Sequence, residues 1–203
     1  MKPFTRPSST KDKPAPAHKG AGEVRIIGGQ WRRTKLPVAN KSGLRPTPDR
    51  VRETLFNWLG QSLLGWRCVD AFAGTGALGL EAASRGATQV QLCEQEAGLV
   101  HQLKAQVERL QATTVQVQRT DGVAFLKQLG SASVDLIFLD PPFDSVLFES
   151  ALQAAAKAVK PDGWVYLEAP VVWTDEALAP LGLQQHRHLK AGTVHAHLLR
   201  RIA

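Results

Sequence analysis

The chain has 203 residues, of which 43% are hydrophobic and 21% are charged, and its formal net charge is +7. This length fits one domain of ordinary size, which can bury a core without disulfide or metal support. No apolar stretch approaches the roughly 18 residues needed to cross a bilayer, and no apolar segment follows the basic first residues, so we expect a soluble, cytoplasmic protein. Cys68 and Cys93 lack the spacing of a redox, zinc or disulfide site and are expected to be buried free thiols.

The positive charge is concentrated at the N-terminus. Residues 1–52 contain 13 Lys and Arg against three acids, whereas residues 53–203 contain 12 against 15. A basic segment joined to a near-neutral domain suits a polyanion binder, because Lys and Arg that neutralise phosphates release condensed counterions. The alternative is a solvated arm that only aids solubility.

The chain begins with a tail followed by a small folded segment. Residues 1–22 are rich in Pro, Ser, Lys and Ala and poor in large apolar side chains, so we expect a disordered basic tail. Between Glu23 and Val38, two strand-like pieces separated by Gly28 and Gly29 predict a small hairpin.

A helix is predicted within residues 44–59, where apolar residues recur at helical spacing. Thr47 is the expected N-cap, with Pro48 at the first helical position. We assign residues 23–60 to one N-terminal extension that contacts the polyanion. The basic side chains available on it are Arg25, Arg32, Arg33, Lys35, Arg45, Arg50 and Arg52. The residues predicted to contact the polyanion are Arg25, Arg32, Arg33, Arg45, Thr47 and Arg50.

Residues 61–203 form the main domain, in which apolar strands alternate with helical stretches. This alternation predicts a parallel sheet with helices on both faces. Two further strands are expected between Leu183 and Arg200, where we interpret His195 and His197 as strand surface rather than as a metal site. The other strands are predicted at about 67–72, 89–94, 114–118, 134–139 and 163–168, and the helices at about 77–85, 96–111, 121–129 and 145–159.

A glycine-rich motif follows the first strand of the main domain. Gly74, Gly76 and Gly79 match G-x-G-x-x-G between a strand and a helix, where glycines let the backbone approach a nucleotide-like ligand. A tight turn without a ligand is the alternative. Asp70, at the end of the strand, would repel a dinucleotide pyrophosphate but attract the ammonium and sulfonium groups of S-adenosylmethionine. The acid therefore favours S-adenosylmethionine as the cofactor.

Two later strand ends offer further contacts to this cofactor. Glu94 follows the glycine turn by about 20 residues, where an acid accepts hydrogen bonds from ribose hydroxyls. Asp121 can accept the adenine amino group and Val123 can pack on the ring, although Asp121 is equally suited to be a helix N-cap. The predicted cofactor-binding residues are Asp70, Phe72, Ala73, Gly74, Gly76, Glu94, Asp121, Gly122, Val123 and Asp140.

The sequence V-D-L-I-F-L-D-P-P-F ends an apolar strand at Asp140. Two prolines cannot continue a ladder, so they direct carbonyl oxygens and the Asp140 carboxylate into the crevice at the carboxyl end of the sheet. If Asp140 and the Pro141 carbonyl each accept an N–H, they hold an aromatic amine with its lone pair toward the sulfonium methyl. Phe143 would stack on a base flipped out of its own stack. We predict that Asp140, Pro141, Pro142 and Phe143 are catalytic; a rigid turn is the alternative.

These motifs resemble those of the bacterial 16S ribosomal RNA guanine-N(2) methyltransferase family called methyltransferase D. The resemblance covers nearly all of the chain after the tail, and the segment 44–59 is its most specific part. It rests on R-I-I-G-G-Q-W-R (25–32), L-R-P-T-P-D-R-V-R-E-T-L-F-N-W-L (44–59), D-A-F-A-G-T-G-A-L-G-L-E-A-A-S-R-G-A (70–87), C-E-Q-E (93–96) and L-D-P-P-F (139–143).

The resemblance implies an α/β, Rossmann-like class I S-adenosylmethionine-dependent methyltransferase fold, with a seven-stranded, mostly parallel sheet preceded by a small β-hairpin. It implies methyl transfer to N2 of a guanine in 16S ribosomal RNA, guanine 966, during small-subunit assembly. Asp140 to Phe143 would be catalytic, and the basic hairpin and the Arg45-Pro46-Thr47 turn would help to cover substrate and cofactor. The expected partner is 16S ribosomal RNA in a partly assembled 30S subunit; the enzyme is expected to be a monomer that needs no metal.

Two other functions stay open at this stage. A DNA adenine amino-methyltransferase would present a similar amine to D-P-P-F, although the chain leaves little sequence for a separate DNA-reading domain. A non-catalytic RNA-binding assembly factor with a vestigial nucleotide fold is disfavoured by the joint presence of Glu94 and D-P-P-F.

Overall fold

The computed structural model describes residues 22–38, 47–143 and 146–202. The predicted tail, apart from Gly22, and Arg45 lie outside these residues. The described strands are β1 (Glu23–Arg25), β2 (Lys35–Pro37), β3 (Arg67–Asp70), β4 (Gln89–Glu94), β5 (Val115–Arg119), β6 (Val134–Leu139), β7 (Val159–Ala169), β8 (Leu183–Ala191) and β9 (Val194–Arg201). The helices are α1 (Asp49–Trp58), α2 (Ala77–Ser84), α3 (Ala97–Arg109), α4 (Gly122–Gln128), α5 (Phe148–Ala158) and α6 (Asp175–Leu178), with a short 3-10 helix at Ala179–Leu181.

Seven strands form one sheet in the order β5-β4-β3-β6-β7-β9-β8. The first five are parallel, and β9 runs antiparallel to both of its neighbours. β1 and β2 form a separate antiparallel hairpin. The predicted seven-stranded, mostly parallel sheet and the N-terminal hairpin are therefore confirmed.

β7 begins at Val159, earlier than the predicted start at residue 163. Val159 pairs with Val134 on β6, and the register then shifts before Leu136 pairs with Trp164. The intervening K-P-D-G sequence has turn composition, but here it forms an irregularity within the strand rather than a loop before it.

Helices cover both faces of the sheet because the strands are apolar on both sides. On one face, α1, α2 and α3 pack on a core that includes Phe138, whose ring lies 6.3 Å from that of Phe56 and 6.2 Å from that of Tyr166. On the other face, α4, α5 and α6 enclose a second core around Ile137 and Leu167. This layering buries the central strands of the sheet, whereas β5 at its edge stays partly exposed.

The hairpin turn is docked on α2. Glu81, which is completely buried, accepts hydrogen bonds from the backbone N–H groups of Ile27 and Gly28, both at 2.7 Å. Gly29 has φ of +75° and lies so close to α2 that a Cβ atom would fall 1.8 Å from the Ser84 carbonyl oxygen. Only glycine fits this turn, which explains why two glycines separate the hairpin strands. The boundary drawn at residue 60 between extension and main domain stays a prediction.

The start of α1 differs from the prediction. The helix begins at Asp49, Pro48 is its N-cap residue, and no side chain caps it. Thr47 is not the N-cap, because its buried hydroxyl donates instead to Glu168 on β7, at 2.6 Å. Tertiary contact has replaced the local hydrogen bond that the sequence suggested.

Arg52 is also not available to a polyanion, because it is completely buried on the inner face of α1. Its guanidinium pairs with Asp49 at 2.7 Å and with Glu81 at 3.3 Å. It also donates to the backbone carbonyls of Arg25 and Thr47. The side chain thereby ties the hairpin and the start of α1 to α2.

The prediction that both histidines of β9 lie on the strand surface is wrong for one of them. His197 is buried rather than on the surface, and its Nε2 accepts a hydrogen bond from the Trp173 backbone N–H at 3.1 Å. His195 is partly buried and its ring lies beside that of His188. Cys68 and Cys93 are buried free thiols, as predicted.

Candidate active site

Four acidic side chains lie at the carboxyl ends of adjacent strands. Asp70 ends β3, Glu94 ends β4, Asp140 directly follows β6 and Glu168 lies near the end of β7. These strands are neighbours in the sheet, so the four carboxylates line one edge. Asp70, Glu94 and Asp140 were predicted from the sequence, whereas Glu168 was not. The crevice outside this edge is where open α/β sheets bind ligands.

Asp70 is a buried carboxylate, with 1% of its surface exposed. Its Oδ2 accepts a hydrogen bond from the Gly79 N–H at 3.0 Å, whereas Oδ1 has no hydrogen-bond partner among the described residues. Burial raises the pKa of Asp70 to about 7; the nearby backbone N–H groups of Gly79 and Phe72 oppose this, and the charge of Glu94 adds to it. A buried oxygen without a partner is costly unless a ligand supplies one.

The glycine turn forms a tight loop between β3 and α2. Gly74 and Gly76 have φ of +51° and +79°, and Gly76 is the N-cap residue of α2. The Gly74 N–H donates to Oε2 of Glu94 at 3.0 Å, while the Ala73 N–H donates to the carbonyl of Cys93. The turn is thus held against the end of β4. Phe72, two residues after Asp70, is half-buried and packs against the second core.

Glu94 is fixed by backbone donors. Its Oε1 accepts hydrogen bonds from the N–H groups of Gln95 and Glu96, both at 2.9 Å. With Gly74 on Oε2, the carboxylate sits half-buried in a ring of backbone N–H groups. These three hydrogen bonds hold the carboxylate in one orientation at the end of β4.

Asp121 is the N-cap of α4. Its Oδ1 accepts from the Ala124 N–H at 2.7 Å, and its Oδ2 accepts from the side-chain amide of Gln95 at 2.6 Å. The capping role that the sequence left open is therefore confirmed, and the contact with adenine stays a prediction. Gly122 and Val123 are buried in the first turn of the same helix.

The D-P-P-F sequence leaves the sheet at the centre of the crevice. Pro141 is buried, Pro142 is exposed, and the ring of Phe143 is 39% exposed. Burial raises the pKa of Asp140 well above its ordinary value, and the negative charges of Glu168 and then Asp70 raise it further. Asp140 is therefore close enough to both acids to feel their charge.

Glu168 is held by two hydroxyl groups. Its Oε1 accepts hydrogen bonds from Thr47 at 2.6 Å and from Tyr166 at 2.9 Å. Burial raises the pKa of Glu168, and the two hydroxyls and the charge of Arg52 oppose that shift. The sequence did contain a signal for this residue, because Y-L-E-A-P ends an apolar strand in an acid and a proline, as L-D-P-P does.

Some of the predicted RNA-contacting residues are exposed in the structure, whereas others are paired or buried. Arg32, Arg33 and Arg50 are exposed, and Arg32 lines a surface groove beside the hairpin turn. Arg25 is exposed but pairs with Asp49 at 3.1 Å. Thr47 is buried against Glu168, so its hydroxyl faces the protein.

Two further features concern metals and membranes. Across residues 22–38, 47–143 and 146–202, no cluster of three or more potential ligands is arranged to hold a metal ion. The helices in this part of the chain are all too short or too polar to span a membrane.

Comparison with known proteins places the chain in a family. Residues 24–200 match the family model described as conserved hypothetical protein 95. Ribosomal RNA small subunit methyltransferase D of Escherichia coli K12 is 41% identical over 93% of this chain and 95% of its own length. The Haemophilus influenzae protein of the same name is 44% identical over 72% of this chain and 79% of its own length.

Solved structures agree with the sequence comparison. The Escherichia coli protein yhhF, described as a candidate methyltransferase, superposes with a TM-score of 0.75 at 37% identity, over 90% of this chain and 99% of its own. The fold described above is that of class I methyltransferases. The chain belongs to the conserved hypothetical protein 95 family, the methyltransferase D family that its sequence motifs resemble.

Proposed function

We propose that this chain transfers a methyl group from S-adenosylmethionine to the exocyclic N2 amine of a guanine in 16S ribosomal RNA. The proposal includes guanine 966 as the target, small-subunit assembly in the cytoplasm as the setting, and a monomer without metal as the active form. The names of the Escherichia coli and Haemophilus influenzae relatives support ribosomal RNA as the substrate. The observation that carries the proposal is that Asp70, Glu94 and Asp140 lie at the carboxyl ends of adjacent parallel strands, with Pro141 directly after Asp140.

The residues of the crevice fit S-adenosylmethionine. The unpartnered Oδ1 of buried Asp70 suits an ammonium group, because a cation beside it would replace the missing hydrogen bond and offset the cost of burial. The glycines of the turn, Gly74 and Gly76, have no side chain to keep a ligand from the backbone, and Glu94 is suited to ribose hydroxyls. No phosphate-binding cation lies among these residues, which also fits a ligand without phosphate.

The chain's own groups position the amine. S-adenosylmethionine, when bound, supplies an electrophilic methyl group on a sulfonium. The amine of guanine is a weak nucleophile because its lone pair is delocalised into the ring. Asp140 and the Pro141 carbonyl would each accept one N–H and hold the nitrogen so that its lone pair faces the methyl group. The proton released as the N–C bond forms can pass to Asp140, whose raised pKa suits a proton acceptor.

The base must leave its stack to reach Asp140. Phe143 presents a partly exposed ring directly after the two prolines. Stacking on such a ring repays part of the cost of flipping a base, by about 1 to 3 kcal/mol. The exposed Arg32, Arg33 and Arg50 of the extension would bind the phosphates around it.

A direct experiment separates this function from its rivals. The purified chain is incubated with methyl-labelled S-adenosylmethionine and either small-subunit ribosomal RNA, partly assembled subunits or duplex DNA. The proposal predicts label in N2-methylguanine of the RNA. Label in N6-methyladenine of DNA would favour a DNA adenine methyltransferase instead, and no label with any substrate, despite calorimetric binding of S-adenosylmethionine, would count against catalysis.

A further inference from the structure

Glu168 is the buried acid that the transfer of a methyl group does not by itself require. Leu139 pairs with Leu167, so Asp140 and Glu168 come directly after partner residues on adjacent parallel strands. The rings of Phe138 and Tyr166, two residues earlier, contact each other on the face covered by α1. Because side chains two residues apart share a face, the two carboxylates project to the same side of the sheet.

Glu168 is held in one orientation. Both hydrogen bonds that it accepts from described residues, from Thr47 and Tyr166, end on Oε1. A carboxylate has about four lone-pair positions on its two oxygens, so these hydroxyls fix the group without saturating it. Arg52 donates to the Thr47 carbonyl at 3.2 Å; burial raises the pKa of Glu168, and the two hydroxyls and the charge of Arg52 oppose that rise. The result is an oriented acceptor next to Asp140.

The bases that carry an exocyclic amine differ at the neighbouring ring nitrogen. In guanine, the amine at C2 lies beside N1–H, so two donors share one edge. In adenine and in cytosine, the ring nitrogen beside the amine is an acceptor. A site that offers two adjacent carboxylates therefore matches guanine and repels the others, because an acceptor facing a buried carboxylate leaves both without a hydrogen.

We propose that Glu168 is the residue that selects guanine, by accepting the N1–H while Asp140 accepts an N–H of the amine. This inference rests on the proposed function, and it assigns base choice to β7 and methyl transfer to the end of β6. Thr47 and Tyr166 are positioning residues in this scheme, since they act through the carboxylate of Glu168. The Thr47 hydrogen bond further makes selection depend on the N-terminal extension, because Thr47 lies in that extension, two residues before α1.

The test uses a base that keeps the methylated amine but reverses the ring nitrogen. 2,6-Diaminopurine has an amine at C2 and an acceptor at N1. Small subunits are reconstituted with RNA carrying either guanine or 2,6-diaminopurine at the target position, and kcat/KM is measured for both with the full chain. We expect a preference for guanine of about 100-fold or more, since sites built for a donor strongly reject analogues that lack it.

Glu168→Gln should reduce this preference at least about tenfold, because the amide can turn its NH2 group toward the acceptor N1. Glu176→Gln, which changes an exposed glutamate on α6, is the matched control and should keep the wild-type ratio. Tyr166→Phe removes one hydroxyl from Oε1 but keeps the carboxylate, and should reduce the preference by a smaller factor. Calorimetric binding of S-adenosylmethionine verifies that each variant is folded.

The possible outcomes separate this inference from the proposed function. If the wild-type chain methylates guanine and 2,6-diaminopurine equally well, or if Glu168→Gln keeps the full preference, Glu168 does not select the base, although guanine methylation stands. If Glu168→Gln does not fold, an unchanged ratio in Tyr166→Phe likewise overturns the inference. If the wild-type chain methylates neither base, the proposed function fails and the inference fails with it.

Discussion

The hydroxyl of Thr47 donates a 2.6 Å hydrogen bond to Oε1 of Glu168, across 121 residues of sequence. This contact joins the N-terminal extension to the end of β7. Glu168 there lies next to Asp140, whose carboxylate is proposed to bind the substrate amine. Arg52 continues the connection, because it bonds the Thr47 carbonyl and pairs with Glu81 on α2. The extension is therefore built into the candidate active site.

Loss of the Thr47 hydroxyl should destabilise the protein. Thr47→Val keeps the shape of the side chain but removes a buried donor to a carboxylate, so we expect the free energy of unfolding to fall by about 1 to 3 kcal/mol. Chemical denaturation measures this change. Thr54→Val is the control, because the Thr54 hydroxyl only bonds a carbonyl of its own helix, that of Arg50. Equal stabilities of the two variants would contradict a structural role for the Thr47 contact.

As the pH is lowered, the rate of methyl transfer should begin to fall at a higher pH than it would if Asp140 had the pKa of an ordinary aspartate. Asp140 must be ionised to accept an N–H, and burial and the charges of Glu168 and Asp70 raise its pKa. The acid limb of kcat/KM is therefore expected well above pH 4. Glu168→Gln removes one like charge and should move this limb to lower pH. Glu149→Gln, on the exposed side of α5, should not move it, and a limb that stays in place in both variants would argue against the coupling.

The ionised Asp70 carboxylate should lower the free energy of unfolding of the chain without cofactor, although it favours cofactor binding. Its folded-state pKa of about 7 lies above the ordinary value of about 4, so the folded chain binds this proton more tightly than the unfolded chain. The free energy of unfolding contributed by Asp70 therefore falls as pH rises between these values. Asp70→Asn keeps an acceptor for the Gly79 N–H and should be more stable than wild type at pH 8, by about 1 to 3 kcal/mol.

The same variant should bind S-adenosylmethionine much more weakly, because the amide carries no charge for the ammonium group. In the wild-type chain, binding should weaken below about pH 7, where the proton competes with the ligand. Calorimetry across pH measures both effects. Unchanged affinity in Asp70→Asn would show that the ammonium group binds elsewhere.

The hairpin arginines should contribute to RNA affinity through phosphates. Arg32→Gln combined with Arg33→Gln should weaken binding and reduce the slope of log K against log salt by roughly 0.7 for each lost contact to single-stranded RNA. Arg187→Gln combined with Lys190→Gln changes the same charge on exposed β8 and serves as the control. A slope that responds equally to both pairs would point to non-specific attraction rather than to a hairpin site.

Much of the fold could be predicted because its signals are local. Apolar residues recur in each of the five strands that precede β8 in the main sheet, so these strands were found, and the glycine turn and D-P-P-F marked two strand ends. The irregular start of β7 was missed because K-P-D-G has the composition of a turn. Nothing in a local pattern distinguishes a turn from a bulge whose partner lies on another strand.

The errors at the site have one physical cause. Thr47 was predicted to be an N-cap and Arg52 to be an exposed cation, because both predictions rest on the neighbouring residues in the sequence. In the fold, both are buried by α2 and β7, and their polar groups are satisfied across long sequence separations. Glu168 was overlooked for the same reason, since an acid near a strand end reveals its role only when the adjacent strand is known to end in Asp140.

The central claim is that Asp140 enables methyl transfer to guanine in the small-subunit RNA. Mass spectrometry of 16S ribosomal RNA from cells lacking this protein, complemented with wild type or with Asp140→Asn, tests it most directly. N2-methylguanine should be absent at the target in the deletion, restored by wild type, and not restored by Asp140→Asn, which should still bind S-adenosylmethionine. Full modification in the deletion strain or in the Asp140→Asn strain would contradict the account.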